Sequence, residues 1–253
     1  LRHSKESIRK ISSFYSSFGN KKLHEITAWG LEKHRTERLK SGITASTMNR
    51  ELDTLRAALN KAVQWGILKS NPMASVKRSK VDSAAPIRYL LPDEDKRLRA
   101  ALDARETKRR ENREKFNQWR RERGYKEFST FGAFTDHLTP IVLLALNTGL
   151  RRGELFNLKW TDINFVGRIL TVVGKTAKSS QTRHIPLNDE AFEVLQKWYK
   201  QRKDSELVFP NHDGKRMGSI KTAWERLLKD AKIENFRFHD CRHDFASKLV
   251  MSG

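Results

Sequence analysis

The chain has 253 residues, of which 51 are Lys or Arg and 30 are Asp or Glu, a formal charge of +21 at pH 7. Hydrophobic residues make up 37% and charged residues 32%, so one large or two small cores fit beneath a heavily ionic surface. No apolar run reaches the ~18 residues of a membrane span, no basic stretch leads into an apolar segment at the start, and Cys241, the single cysteine, excludes an intrachain disulfide and a cysteine-rich zinc cluster. A reducing, cytoplasmic setting is expected. The first residue is Leu1 rather than Met, so the chain is expected to be a fragment at that end.

An excess of positive charge this large favours a polyanion partner, since self-repulsion brings no return unless an anion neutralises it. The excess is not a tail. Residues 1–82 hold 17 Lys and Arg against 7 Asp and Glu, a net +10, and the remaining +11 lies in 83–253. The partner this charge points to is nucleic acid or, less favoured, an anionic membrane surface.

Residues 1–80 read as helical. In 46–65, Met48, Leu52, Leu55, Leu59 and Ala62 recur at steps of four and three, one helix face. Thr44 or Ser46 can cap its start, Gly66 suits its end, and Asn71-Pro72 is a breaker beyond it. An earlier helix is expected over 27–41. The stretch 79–92 lacks periodicity and reads as a linker. Pro92-Asp93-Glu94 then resembles a first helical turn, with acids at the positive end of the dipole. Residues 105–126 are densely charged, with Phe116, Trp119 and Tyr125 as the large apolar groups. They are expected to form an exposed helical insertion, for which a DNA contact and a plain solvated helix both fit. Thr139-Pro140 reads as a cap and first position of a buried helix ending at Thr148-Gly149. The β-branched stretches 168–173 and 182–187 predict a hairpin. Helices are expected over 189–202, 218–232 and 239–251. The fold class is therefore mainly α with a small antiparallel β-sheet, in two domains: 1–80, a linker at 81–91, and 92–253.

Three stretches carry chemistry. In Thr148-Gly149-Leu150-Arg151-Arg152-Gly153-Glu154-Leu155, Gly149 ends one helix and Arg151 begins the next. The dipole disfavours Arg there unless an anion joins it, when backbone N–H groups and a guanidinium converge on one phosphate. Glu154 can hold Arg151, and a surface Arg–Glu pair is the plain alternative. In the hairpin from Gly174 to Leu187, Lys175 or Lys178 on the turn can donate a proton, or the turn is merely polar. In His239-Asp240-Cys241-Arg242-His243, an imidazole and a guanidinium three residues apart share a helix face and suit a phosphoryl transition state. His239 and His243 at i and i+4 also have metal-ligand spacing, but no convincing third ligand accompanies them, so no metal is expected. Packing or capping is the favoured role for His243.

In combination and in order, the T-G-L-R-x-x-E-L run at 148–155, the lysine hairpin ending in Ile185-Pro186-Leu187, and H-x-x-R-H at 239–243 resemble the tyrosine recombinase (phage integrase) family. Residues 1–80 are similar to its helical core-binding domain, with Trp65-Gly66-Ile67-Leu68 before Asn71-Pro72 as a matching end. The resemblance implies DNA integration and recombination by strand cleavage through a 3′-phosphotyrosine, with no metal or cofactor, in synaptic complexes with other protomers. It implies that Arg151 and Arg242 clamp the scissile phosphate, that His239 hydrogen-bonds it, and that a hairpin lysine protonates the leaving 5′-oxygen. Lys178 stands eight residues before Pro186, the family's separation, and is chosen over Lys175. Glu154 and His243 are supporting residues.

The chain departs from the family at the nucleophile. Tyr15, Tyr89, Tyr125 and Tyr199 all precede His239, so no residue takes the nucleophile's place. The chain is expected to be truncated before that tyrosine, to bind DNA without cleaving it, and to be a monomer in solution. A non-catalytic DNA-binding regulator or decayed recombinase is the rival. With both halves basic, each is expected to contact phosphates, closing on one duplex as a clamp. Titrating a duplex at moderate salt should show residues 1–82 alone binding more weakly than the whole chain. Equal affinities would remove the clamp.

Overall fold

The apolar face expected over 46–65 needs helices to cover it, and in a computed structural model of the chain it finds two. The first unit, Leu1–Ala85, holds α1 (Ser4–Phe18), α2 (Ala28–Lys40) and α3 (Ala45–Gln64). Thr27 and Thr44 cap α2 and α3, their hydroxyls accepting the Gly30 N–H at 3.2 Å and the Thr47 N–H at 3.3 Å. These bonds satisfy donors that the first helical turn leaves orphaned. Met48, Leu52, Leu55 and Leu59 of α3 are buried as the spacing requires, against Phe14 of α1 and Leu31 of α2. The described residues are 4–81, 87–174, 181–202 and 204–251.

The second unit, Pro86–Gly253, contains α4 (Pro92–Glu122), α5 (Leu138–Thr148), α6 (Arg152–Asn157), β1 (Ile163–Asn164), β2 (Ile169–Val172), β3 (Arg183–Pro186), α7 (Asp189–Lys200), α8 (Lys221–Asp230) and α9 (Asp240–Met251). The strands form one antiparallel sheet in the order β1-β2-β3. Leu170 of β2 pairs with Ile163 of β1 and with Ile185 of β3, so these three apolar side chains share the buried face. Helix α5 is buried nearly all round, with Leu138, Ile141 and Leu144 at 0% exposure. It is the centre of the core and packs on α7 and α9.

Three boundaries differ from the sequence reading, each for a local reason. The charged block is helical but does not start a helix of its own: α4 runs unbroken through it, because no Gly or Pro interrupts the chain between Pro92 and Gly124, which stops it at φ +70°. Helix α5 starts at Leu138, not after Thr139. The Asp136 carboxylate accepts the Leu138 N–H at 2.9 Å, while the Thr139 hydroxyl donates to Glu106 at 2.6 Å. Helix α9 starts at Asp240, so His239 lies in the preceding turn rather than on a helix face shared with Arg242.

The distal half of α4 buries only Asn117 beyond Leu102. The chain returning at 125–136 is fastened to it by side-chain donors. Arg105 pairs with Asp136, Arg110 donates to the carbonyls of Gly132 and Ala133, and Arg113 donates to that of Ser129. Asn117 exchanges two bonds with the Phe128 main chain, at 2.8 and 2.9 Å, and Arg120 donates to the Lys126 carbonyl at 2.6 Å. This arm is held by polar pairing where the apolar core holds the rest.

Because α5 has almost no solvent face, truncating it leaves a cavity that little can fill. Leu144→Ala should destabilise the second unit by about 2–5 kcal/mol, read as a lower urea midpoint at unchanged m-value. A loss well under 1 kcal/mol would show that the site can collapse.

Candidate phosphate-binding site

The site is assembled where α5 ends against α9. Gly149 closes α5 in the left-handed region at φ +58°. A Cβ there would sit 2.5 Å from Cδ1 of Phe245 on α9, so both conformation and space demand glycine. The gap lets the Arg242 Nη1 reach the Gly149 carbonyl at 2.6 Å. The chain then extends through Leu150 to Arg151, which occupies the N-cap position of α6.

Glu154 organises the arginines around it. Its Oε2 accepts the Arg151 N–H at 2.9 Å and its Oε1 accepts the Arg151 Nη1 at 3.0 Å. From β3, Arg183 also donates to both oxygens, at 3.1 and 2.6 Å, a bidentate fork. Glu154 is 5% exposed. Burial alone would raise its pKa, but the bonds from Arg183 and Arg151 outweigh burial and hold it down at about 2.

Arg151, Arg183 and Arg242 thus stand around one carboxylate. The crowding is visible at Arg242, whose pKa is lowered by burial and then by the charges of Arg151 and Arg183, with Glu154 opposing. Two of these cations, Arg151 and Arg242, reach His239. Burial first, then His243, Arg242 and Arg151, lower its pKa against a raising contribution from Asp240. The imidazole is therefore neutral at pH 7. His243 meets it edge-on, ring centroids 5.4 Å apart.

Arg151 and His239 line one cleft of about 600 Å³, walled by Trp224 and Phe238. Arg183, Arg242 and His243 line a second of about 640 Å³ with Phe245 and Leu249. Lys175 and Lys178 lie outside the described residues, between the end of β2 and the start of β3. Among the described residues, no group of three or more His, Cys, Asp or Glu is placed to hold a metal ion, and no helix is long and apolar enough to cross a membrane.

The sequence reading missed Arg183. Its signal was the alternation of β3, which puts Arg183 on the face of Ile185. A charged side chain on the buried face of a strand requires a carboxylate.

Residues 125–253 match the phage integrase family and residues 1–80 match the phage integrase N-terminal domain. The chain belongs to the phage integrase family, whose members include tyrosine recombinases that it resembles in sequence. It is 35% identical over 127 residues to the integrase of Salmonella phage P22, a match covering 46% of this chain and 33% of that protein. It is 26% identical over 239 residues to the shufflon-specific DNA recombinase of Escherichia coli, covering 91% and 52%. The chain thus spans about half the length, or less, of these curated relatives. In fold it is similar to the Tn1549 transposon integrase in complex with transposon right end DNA (TM-score 0.73, 18% identity, 100% of this chain and 82% of that one). It is also similar to a lambda integrase dimer bound to a COC′ core site (TM-score 0.68, 20% identity, 98% and 82%).

The depressed Glu154 pKa has a consequence for stability. A carboxylate whose folded pKa is below its unfolded value contributes stability above the unfolded pKa and loses it as pH falls through the folded one. For Glu154 the window runs from 4.5 down to about 2. At pH 7, Glu154→Gln should cost up to about 3 kcal/mol, and the gap from the unmutated chain should narrow as pH falls through that window. Urea melts at pH 7, 4 and 2.5 check it, and a gap independent of pH would remove the ionic role.

Proposed function

We propose that this chain contributes the DNA-binding and phosphate-activating parts of a site-specific DNA recombinase or integrase. The gathering of Arg151, Arg183 and Arg242 round the single Glu154 carboxylate supports this reading. Three guanidiniums against one carboxylate leave an excess of positive charge in a half-buried place, which suits the charge spread over the non-bridging oxygens of a phosphoryl transition state.

In this reading residues 1–80 form the core-binding domain, 81–91 the linker and 92–253 the catalytic domain. Arg151 and Arg242 hold the scissile phosphate. His239 hydrogen-bonds a non-bridging oxygen, and Glu154 and His243 support the set. A tyrosine oxygen attacks phosphorus, the bond from phosphorus to the 5′-oxygen breaks, and Lys178, with Lys175 as the alternative, gives that oxygen its proton. The DNA 3′-phosphate remains on the tyrosine until the partner strand displaces it. Partners are duplex DNA and other protomers, in a cytoplasmic setting.

None of the four tyrosines follows His239. Tyr199 packs on Trp160 and Phe165, and Tyr125 stacks on Trp119. These 253 residues, monomeric by themselves, therefore bind DNA without a covalent step. The rival reading is a DNA-binding regulator that never cleaves. The two part at Lys178, which cleavage needs and binding does not.

Incubation with a nicked suicide duplex and a denaturing gel should give no protein–DNA adduct, while native gels show binding that Arg242→Gln weakens. In a recombinase that joins these residues to a nucleophilic tyrosine, Lys178→Ala should slow cleavage sharply, and a 5′-bridging sulfur, whose departure needs no proton, should restore it. An adduct abolished by Tyr199→Phe would overturn the assignment of the nucleophile. Rescue of Lys175→Ala instead would overturn that of the lysine.

A further inference from the structure

The arm built by distal α4 and the segment returning at 125–136 takes no part in that chemistry, and neither family match covers residues 81–124. Its surface has a definite composition. Phe116, Trp119, Tyr125 and Phe128 are each between 43% and 55% exposed. Phe116 stacks on Trp119 and on Phe128 at 5.7 Å, and Trp119 stacks on Tyr125 at 6.0 Å. Guanidiniums lie on this row of rings and on Phe131 beyond it: Arg113 is 4.2 Å from the Phe131 centroid, Arg120 is 4.6 Å from that of Phe128, and Arg123 is 4.5 Å from that of Trp119.

The charges of this surface are not cancelled within it. Residues 105–136 hold ten Lys and Arg against six Asp and Glu. Arg110, Arg113 and Arg120 donate to main-chain carbonyls, which fix the side chain but do not neutralise it. Arg113 and Arg120 each spend one of five N–H donors in this way, leaving the others open. Among the described residues, the ammonium groups of Lys108, Lys115 and Lys126 have no partner, and Glu111 is the arm's one carboxylate without a cation. Six uncompensated cations thus sit on a scaffold fixed by the Asn117–Phe128 bonds and the aromatic row.

We propose that this arm is a second DNA-binding surface, which grips the phosphate backbone of duplex DNA independently of the residues placed round the scissile phosphate. Stacking and carbonyl bonds hold the guanidiniums in place before binding, so little side-chain entropy is lost when a phosphate arrives. The exposed rings serve as the platform for those cations. A second copy of this chain is a poorer occupant, because the chain's own +21 charge repels it. The inference rests on the DNA-binding reading of the chain as a whole.

The test is a salt series on the full chain with a random-sequence duplex several helical turns long. The ammonium groups of Lys108, Lys115 and Lys126 fasten nothing, so changing all three to Gln should leave the thermal melt unchanged. It should make the log–log slope of affinity against salt shallower by about 0.9 for each phosphate no longer neutralised. Asn117→Ala keeps every charge but unfastens the arm, and should also weaken binding at fixed salt. Slopes and affinities equal to the unmutated chain for both variants would overturn the proposal. An effect of the lysine variant alone would overturn the built surface and leave only general charge. Normal DNA binding by both, with self-association of the unmutated chain that the variants lose, would assign the arm to a second copy instead. If the unmutated chain binds no duplex at all, the DNA reading itself fails along with the arm.

Discussion

A buried carboxylate that must serve two guanidiniums sets the geometry of the second unit. Glu154 takes Arg151 from its own helix start and Arg183 from a strand 29 residues further on. Taking an ion out of water is costly unless its lone pairs are filled, and here three donor groups fill them. The fork ties the N-terminus of α6 to β3. It thereby fixes the sheet against the turn that carries Arg151. It also leaves the cluster positive, because Arg242 joins without a carboxylate of its own and finds the Gly149 carbonyl instead.

Arg242 depends in turn on how α9 is held. Asp244, fully buried, accepts the Leu90 N–H at 2.9 Å. Lys248, one turn on, bridges Asp244 at 2.9 Å and Asp95 of α4 at 3.1 Å. The helix carrying Arg242 and His243 is thus pinned to the first residues of the second unit on one side and to the end of α5 on the other. Glycine at 149 permits the second contact, since any side chain there would push α9 away. The same helix shows why one register is kept: Cys241, 1% exposed, faces the core while its neighbour Arg242 faces the site.

Local patterns in the sequence were enough for most of the helices, because the face of α3 and the stop at Gly149 are matters of spacing and glycine chemistry within a few residues. What escaped was non-local. The partner of Glu154 from β3 depends on sheet register. Strand β1 is two residues long and carries no periodicity. The continuity of α4 was hidden because its distal half has almost no apolar face, and its stability comes from arginines reaching the carbonyls of a chain segment that returns after Gly124. Polar fastening of that kind leaves no hydrophobic period to read. The choice between Lys175 and Lys178 stays with the sequence, since both fall outside the described residues.

On the proposed reading, His239 is the residue that would separate a site that merely binds phosphate from one that acts on it. For binding alone a protonated imidazole would be an advantage, yet burial and the charges of His243, Arg242 and Arg151 keep it neutral at pH 7. A neutral ring still donates one N–H to a phosphate oxygen, and it can also accept a proton. An anion entering beside Arg151 and Arg242 would offset the two arginines that depress this pKa, and so would shift it back toward its ordinary value. Near that value a histidine exchanges protons with least driving-force penalty at neutral pH. In the proposed site, the arginines that would attract the phosphate are thus the same groups that lower the imidazole's proton affinity, and an occupying anion would raise it again.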